Sequence, residues 1–176
     1  FECAGHPGED DVGLVVLLPA TVDALPDTPI IASGGMADGR SLVAALALGA
    51  EGINMGTRFC ATKEARIHEN VKRRIVENTE LDTVLVGRTL RNTARVARNA
   101  ISEEVARIQQ DPSKTFEDVK ELMAGQRARA NVLGEGDIDG GIWTSGQSQA
   151  LIHDIPSCKD LVATIMKQAE SVRARL

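Results

Sequence analysis

The 176 residues carry 20 Lys/Arg against 25 Asp/Glu, a net charge of −5, so no global field draws the chain to DNA or RNA. Hydrophobic residues make up 43%, near the globular average, which argues against wholesale disorder. Aromatics are 2% and Tyr is absent, which disfavours a base-stacking platform or an aromatic cage and leaves an aliphatic, alanine-rich core.

In chain order, Phe1–Cys3 is short, apolar at alternate positions and reads as a strand. It runs into the turn-rich Ala4-Gly5-His6-Pro7-Gly8 and the acidic Glu9-Asp10-Asp11. A helix is expected around Pro19–Leu25, with Pro19 in its first turn, where a missing N–H does no harm. Pro29-Ile30-Ile31-Ala32-Ser33 reads as a buried parallel strand that ends in Gly34-Gly35. Asp38 is a plausible N-cap for a helix over Ser41–Leu48, which Gly49 stops. Gly52-Ile53-Asn54-Met55 is the next buried strand, with Gly56-Thr57 as its exit. Farther on, Lys63–Glu77, Ser102–Gln109, Phe116–Met123 and Pro156–Leu176 read as helices, and Val84–Val86 and Thr93–Ala97 as short strands or turns. Gly134–Gly141 is a glycine and acid loop.

Strand starts near residues 1, 30 and 52 give a pitch close to the ~30 residues per unit of a (β/α)8 barrel. A doubly wound sheet usually places GxGxxG at its first turn, whereas here Gly-Gly follows one strand and Gly-Thr the next. The expected fold is therefore α/β: residues 1–62 as the C-terminal part of a TIM barrel, about its last three strands, and residues 63–176 as a mainly helical extension packed on it. Residue 1 is Phe rather than Met. The expectation is a piece of a longer protein, with about five barrel units, roughly 150 residues, before it.

Glycine at a strand exit lets backbone N–H groups approach an anion closely. Ser33, Gly34 and Gly35 on one exit, with Gly56 and Thr57 on the next, suit either tight turns or a shared phosphate cradle. His6 lies just past a strand end, where barrel enzymes carry their chemistry, and an imidazole can accept or donate a proton near neutral pH. A surface or structural role is the other reading. His68 reads as a solvated residue of a charged helix and His153 as structural. Glu9-Asp10-Asp11 reads as water-facing, with a metal site as the other reading, and Cys3 and Cys60 read as buried packing residues.

Between Lys63 and Arg98 there are nine Lys/Arg against five Asp/Glu. Arg88, Arg91, Arg95 and Arg98 recur at roughly helical spacing. They suit a solvated or structural element, or a basic rim for a nicotinamide dinucleotide. Trp143 reads as packing, with a cofactor-side contact open to Gln147. The three cysteines form no CxxC pair and the three histidines lie far apart, so no metal is expected and a reducing, cytoplasmic setting fits. No apolar run nears the ~20 residues that cross a bilayer, so no membrane partner is expected. The oligomeric state is left open.

Glu2-Cys3-Ala4-Gly5-His6-Pro7-Gly8, Ala32-Ser33-Gly34-Gly35-Met36-Ala37-Asp38-Gly39-Arg40, Ala44–Gly49 and Asn54-Met55-Gly56-Thr57-Arg58-Phe59, in that order, resemble the nitronate monooxygenase family, also called the 2-nitropropane dioxygenase family. Gly146-Gln147 and Asp154-Ile155-Pro156 resemble its C-terminal end. The resemblance implies an FMN-dependent β/α barrel. It implies FMN phosphate binding by Ser33, Gly34, Gly35, Gly56 and Thr57, with Ala4 and Gly5 along the flavin and His6 as the active-site histidine. The implied reaction turns an alkyl nitronate and dioxygen into a carbonyl compound and nitrite. Two departures stand out: Ala4-Gly5-His6 replaces the Gly-Gly-His of many relatives, and Glu9-Asp10-Asp11 is not general. The subgroup with such a loop is similar to NADH:quinone reductases of the same fold, which makes NADH and a quinone the alternative substrates. FMN-type enoyl reductases share the barrel and the histidine loop. A third alternative is a non-catalytic piece lacking the first half of the barrel.

Overall fold

Two short strands, β1 (Ile31–Ser33) and β2 (Gly52–Asn54), run parallel with Ile31 opposite Gly52, Ala32 opposite Ile53 and Ser33 opposite Asn54. The computed structural model describes residues 3–176. Because the strands are parallel and in register, their exits, Gly34-Gly35 and Gly56, lie at the same end. The strand expected over residues 1–3 falls at Phe1 and Glu2 outside the described residues, and Cys3 is in a turn.

The crossover between β1 and β2 is α2 (Gly39–Ala47). Asp38 caps it as expected: Oδ1 accepts from the N–H groups of Arg40 and Ser41, at 2.9 and 3.2 Å. Ser41 Oγ accepts in return from the Asp38 N–H at 3.2 Å, completing a capping box. Gly49 ends the helix with φ +95, a conformation that costs a residue with a Cβ far more than glycine. In front of β1 lies α1 (Leu14–Ala24). It begins five residues before Pro19, which sits inside it and not in its first turn. Leu18 is buried beside Ala32, Met36, Ala45 and Ala50, and this packing outweighs the hydrogen bond that Pro19 cannot donate.

After β2 comes the single turn α3 (Thr57–Cys60), then α4 (Glu69–Glu77). The helix expected from Lys63 starts only at Glu69, because His68 caps it. His68 Nδ1 accepts from the Asn70 N–H at 3.1 Å, so His68 is a half-buried cap and not a solvated helix residue. Glu69 pairs with the buried Lys72 at 2.7 Å, and Arg73 donates to Asn70.

Residues 83–97 form a hairpin. β3 (Thr83–Val86) pairs antiparallel with β4 (Ala94–Ala97), and Val96 also bridges Thr144. The turn runs through Gly87 at φ +80 and Arg91 at φ +50. The arginines that looked helically spaced therefore sit on a hairpin and its turn. α5 (Ala100–Ile108), capped by Asn99, packs on β3 around the buried Val86, Val96, Val105 and Val119. Burying each such valine contributes about 1.5–3 kcal/mol.

The helix expected over Phe116–Met123 is a single 3-10 turn, Phe116–Asp118. One turn, α6 (Gly125–Arg127), opens into a wide π-type turn, Ala128–Gly134. The final helix, α7 (Cys158–Arg173), packs along α2. No helix among the described residues is long and apolar enough to cross a membrane.

Candidate functional site

The loop after Cys3 and both parallel-strand exits line one cavity of about 430 Å3. Ala4, Gly5 and His6 come from the loop, Ser33, Gly34 and Gly35 from the β1 exit, and Gly56 and Thr57 from the β2 exit. All eight residues singled out in the sequence therefore share a wall. Met36, Asn54, Cys60, Thr144 and Ser148 line it too. Asn54 stood inside a quoted motif. Thr144 and Ser148 carried no local signal, being brought in by the bridge from Val96 to Thr144 and by the chain beyond it.

Gly34 and Gly35 turn the chain with φ +91 and +76. A Cβ on Gly35 would also come within 3.3 Å of Cys3 Cβ. The N–H groups of Gly34, Gly35 and Gly56 find no acceptor among the described residues. Successive N–H groups in such a turn make a concavity suited to an anion.

Two hydroxyls complete the arrangement. Ser33 Oγ accepts from Asn54 Nδ2 at 3.3 Å, and Thr57 Oγ1 accepts from the Gly146 N–H at 2.9 Å. With an acceptor site used, each hydroxyl keeps its own proton for donation. The Gln147 N–H donates to the Cys3 carbonyl at 3.0 Å, so Gln147 reaches the site through its backbone; Ser148, not Gln147, lines the cavity.

His6 is exposed, as is Cys3, which lines the cavity instead of packing in a core. Cys60 is half-buried, and burial pushes its thiol pKa up. All three residues of the acidic triplet are exposed, as expected, but two of them also bond to the protein. Glu9 accepts from the hydroxyl and N–H of Thr93, and these bonds hold its carboxyl below the usual range. Asp11 pairs with Arg88.

Three of the four arginines engage the protein's own groups: Arg88 with Asp11, Arg95 with Thr83 and Arg98 with Glu103, while Arg91 stands exposed on the hairpin turn. No cluster of metal-ligating side chains occurs among the described residues.

The nitronate monooxygenase family model matches residues 2–168. The chain belongs to the nitronate monooxygenase family. Among its relatives, the Mycobacterium tuberculosis (3aS,4S,5R,7aS)-5-hydroxy-7a-methyl-1-oxo-octahydro-1H-indene-4-carboxyl-CoA dehydrogenase is 34% identical over 96% of this chain and 57% of its own length. A probable nitronate monooxygenase of Staphylococcus aureus is 32% identical over 97% of this chain and 49% of its own. FabK from Thermotoga maritima superposes with a TM-score of 0.88 at 35% identity, covering 99% of this chain and 53% of that one. The α/β fold is thus shared with these oxidoreductases, and the chain spans about half the length of the relatives it matches.

Proposed function

We propose that the chain supplies the phosphate cradle and the histidine wall of an FMN-dependent oxidoreductase with a (β/α)8 barrel, acting on alkyl nitronates with dioxygen to give carbonyl compounds and nitrite. One observation supports the reading: Gly34, Gly35 and Gly56, whose N–H groups find no acceptor among the described residues, line the same cavity as His6.

The residues fit a flavin phosphate. The positive φ at Gly34 and Gly35 and the open space where a Gly56 Cβ would stand leave room for close approach. Ser33 and Thr57 can donate the protons their hydroxyls retain. Ala4 and Gly5 would lie along the ring system. FMN, when bound, supplies the electron transfer. The chain's own part is to bind and orient it and to place His6, whose imidazole would take the α-proton of a neutral nitroalkane. A preformed nitronate has already lost that proton and would not need it.

A second reading is dehydrogenation of a CoA thioester, favoured by the likeness to the M. tuberculosis dehydrogenase. NADH:quinone reduction has less support, because Arg88, Arg95 and Arg98 are engaged with the protein's own side chains.

The test is to purify the protein, release its cofactor by heat and identify it. The protein is then incubated aerobically with propionate 3-nitronate, and anaerobically with NADH or an acyl-CoA. FMN near one per chain with nitrite release supports the nitronate reading. Bound FMN without nitrite removes it, and flavin bleaching by the acyl-CoA or by NADH then selects between the others.

A further inference from the structure

The loop that carries His6 is tied on both sides to the β3–β4 hairpin. One residue before His6, the Gly5 carbonyl accepts from the Arg95 N–H in β4 at 2.8 Å. Three residues after it, Thr93 engages both carboxylate oxygens of Glu9. Oε1 accepts from the Thr93 N–H at 2.9 Å and Oε2 from Thr93 Oγ1 at 2.7 Å. Thr93 is only 5% exposed and directly precedes β4, so it is a fixed point. Arg88, on the hairpin turn, reaches the Glu9 carbonyl oxygen and pairs with Asp11. Glu9, Thr93, Arg88 and Arg95 do not line the cavity.

Between the two ties lie His6, Pro7 and Gly8. His6 and Gly8 are exposed, and a Cβ on Gly8 would meet nothing within 4 Å, so the ties at the two ends carry much of the loop's placement. A carboxylate accepting from one N–H and one hydroxyl of the same residue fixes both distance and orientation, as a single contact does not.

We infer that Glu9 and Thr93 are positioning residues for His6. The Glu9–Thr93 pair holds the histidine loop against the hairpin and so sets where the imidazole stands in the cavity. This rests on His6 being the proton-handling group proposed above.

Four variants separate the possibilities. Glu9→Ala removes the pair. Thr93→Val keeps the shape and the N–H but loses the hydroxyl, and Thr93→Ser restores it. Glu9→Gln can still accept from the N–H through Oε1, and its Nε2 can donate to the hydroxyl. In Glu9→Ala and Thr93→Val, kcat on a neutral nitroalkane should fall roughly 10- to 100-fold, the cost of a misplaced catalytic group. KM for a preformed nitronate and the melting temperature should stay near the parent's. Thr93→Ser and Glu9→Gln should recover most of the loss.

Amide hydrogen exchange at Gly5, His6, Gly8 and Glu9 is read in parallel with no substrate present. It should speed up in Glu9→Ala and Thr93→Val alone. Parental exchange and parental kcat in Glu9→Ala would overturn the inference. So would a loss shared equally by neutral and anionic substrates that Thr93→Ser does not relieve. A parent protein that turns over no nitroalkane would defeat the proposed function, while the exchange measurement would still decide the tether.

Discussion

Thr57 Oγ1 accepts a hydrogen bond from the Gly146 N–H at 2.9 Å, joining the β2 exit to a segment 89 residues later. The contact is close on every side. A Cβ on Gly146 would lie 2.8 Å from the Cys3 carbonyl oxygen and 3.3 Å from Thr57 Oγ1. Gly146→Ala should therefore push this segment off the cavity wall. The expected cost is about 1–3 kcal/mol, the range for overpacking, with weaker cofactor retention. Urea unfolding and flavin content after gel filtration check it; an unchanged midpoint would count against the tight junction.

The α2–α7 contact rests on a second missing Cβ. At Gly39 it would fall 2.4 Å from the Ala169 N and 2.6 Å from the Ile165 carbonyl oxygen, both backbone atoms of α7. The Gly39 N–H also donates to Gln168 Oε1 at 3.1 Å. Backbone cannot turn aside as a flexible side chain can. Gly39→Ala should separate the helices and destabilise the fold by about 1–3 kcal/mol, although alanine is the better helix former. Denaturant unfolding at neutral pH gives the answer.

Asp82 ties the segment before β3 together. Its Oδ2 accepts from the Thr79 N–H at 2.7 Å and from Thr79 Oγ1 at 2.8 Å. These bonds, the backbone one first, lower its pKa below the usual Asp value. A folded-state pKa below the unfolded one means stability that is present above the unfolded value, near pH 4. That stability is lost as pH falls through the lowered folded value. The unfolding midpoint should decline on acidification below about pH 4. Asp82→Asn should start lower at pH 7 and show a shallower acid decline. Parallel curves for parent and variant would exclude this residue as a contributor.

The parts of the fold that were legible in the sequence are those whose signal is local. Asp38 with Ser41, Gly49, and the apolar runs ending in Gly34-Gly35 and Gly56 each announce a cap, a stop or an exit within a few residues. The elements that were misread depend on distant partners. Pro19 reads as a helix start until the packing of Leu18 against β1 and α2 is known. Val84–Val86 and Thr93–Ala97 were legible as short strands, but the roughly helical spacing of Arg88–Arg98 hid their pairing, because the hairpin exists through the β3–β4 ladder and α5. Val119 is buried under the hairpin without a regular helix around it, so its apolar neighbours suggested a periodicity that the backbone does not follow. At the site, the residues from the first third were recognisable by motif. Thr144 and Ser148 were not, because only tertiary pairing brings them there. Glu9 looked like one of three solvated acids, since nothing near it in the chain identifies Thr93 as its partner.

If His6 handles a proton, His6→Ala should depress turnover of neutral nitroalkanes by about 10²–10⁴-fold, the usual contribution of a general base. Turnover of the preformed nitronate should fall far less, because that substrate no longer carries the proton. Steady-state kinetics on the two forms of one nitroalkane, freshly prepared at the same pH, make the comparison. Equal losses on both would assign His6 to binding or to loop structure.

Gly56 separates the phosphate cradle from ordinary packing. Its φ of −92 is open to any residue, and a Cβ there would meet no protein atom within 4 Å. Gly56→Ala should therefore leave the fold intact, or stabilise it by about 0.4–1 kcal/mol through a less flexible unfolded chain. The new methyl would stand in open space beside an N–H group that no described residue accepts. If that space holds the flavin phosphate, affinity for FMN should drop about tenfold or more while the melting temperature of the cofactor-free protein does not fall. Fluorescence titration with FMN, and with riboflavin as the control lacking the phosphate, reads the effect. A loss confined to FMN places the phosphate beside Gly56. An equal loss for riboflavin would move the phosphate elsewhere, and unchanged affinity for both would remove Gly56 from the cofactor site.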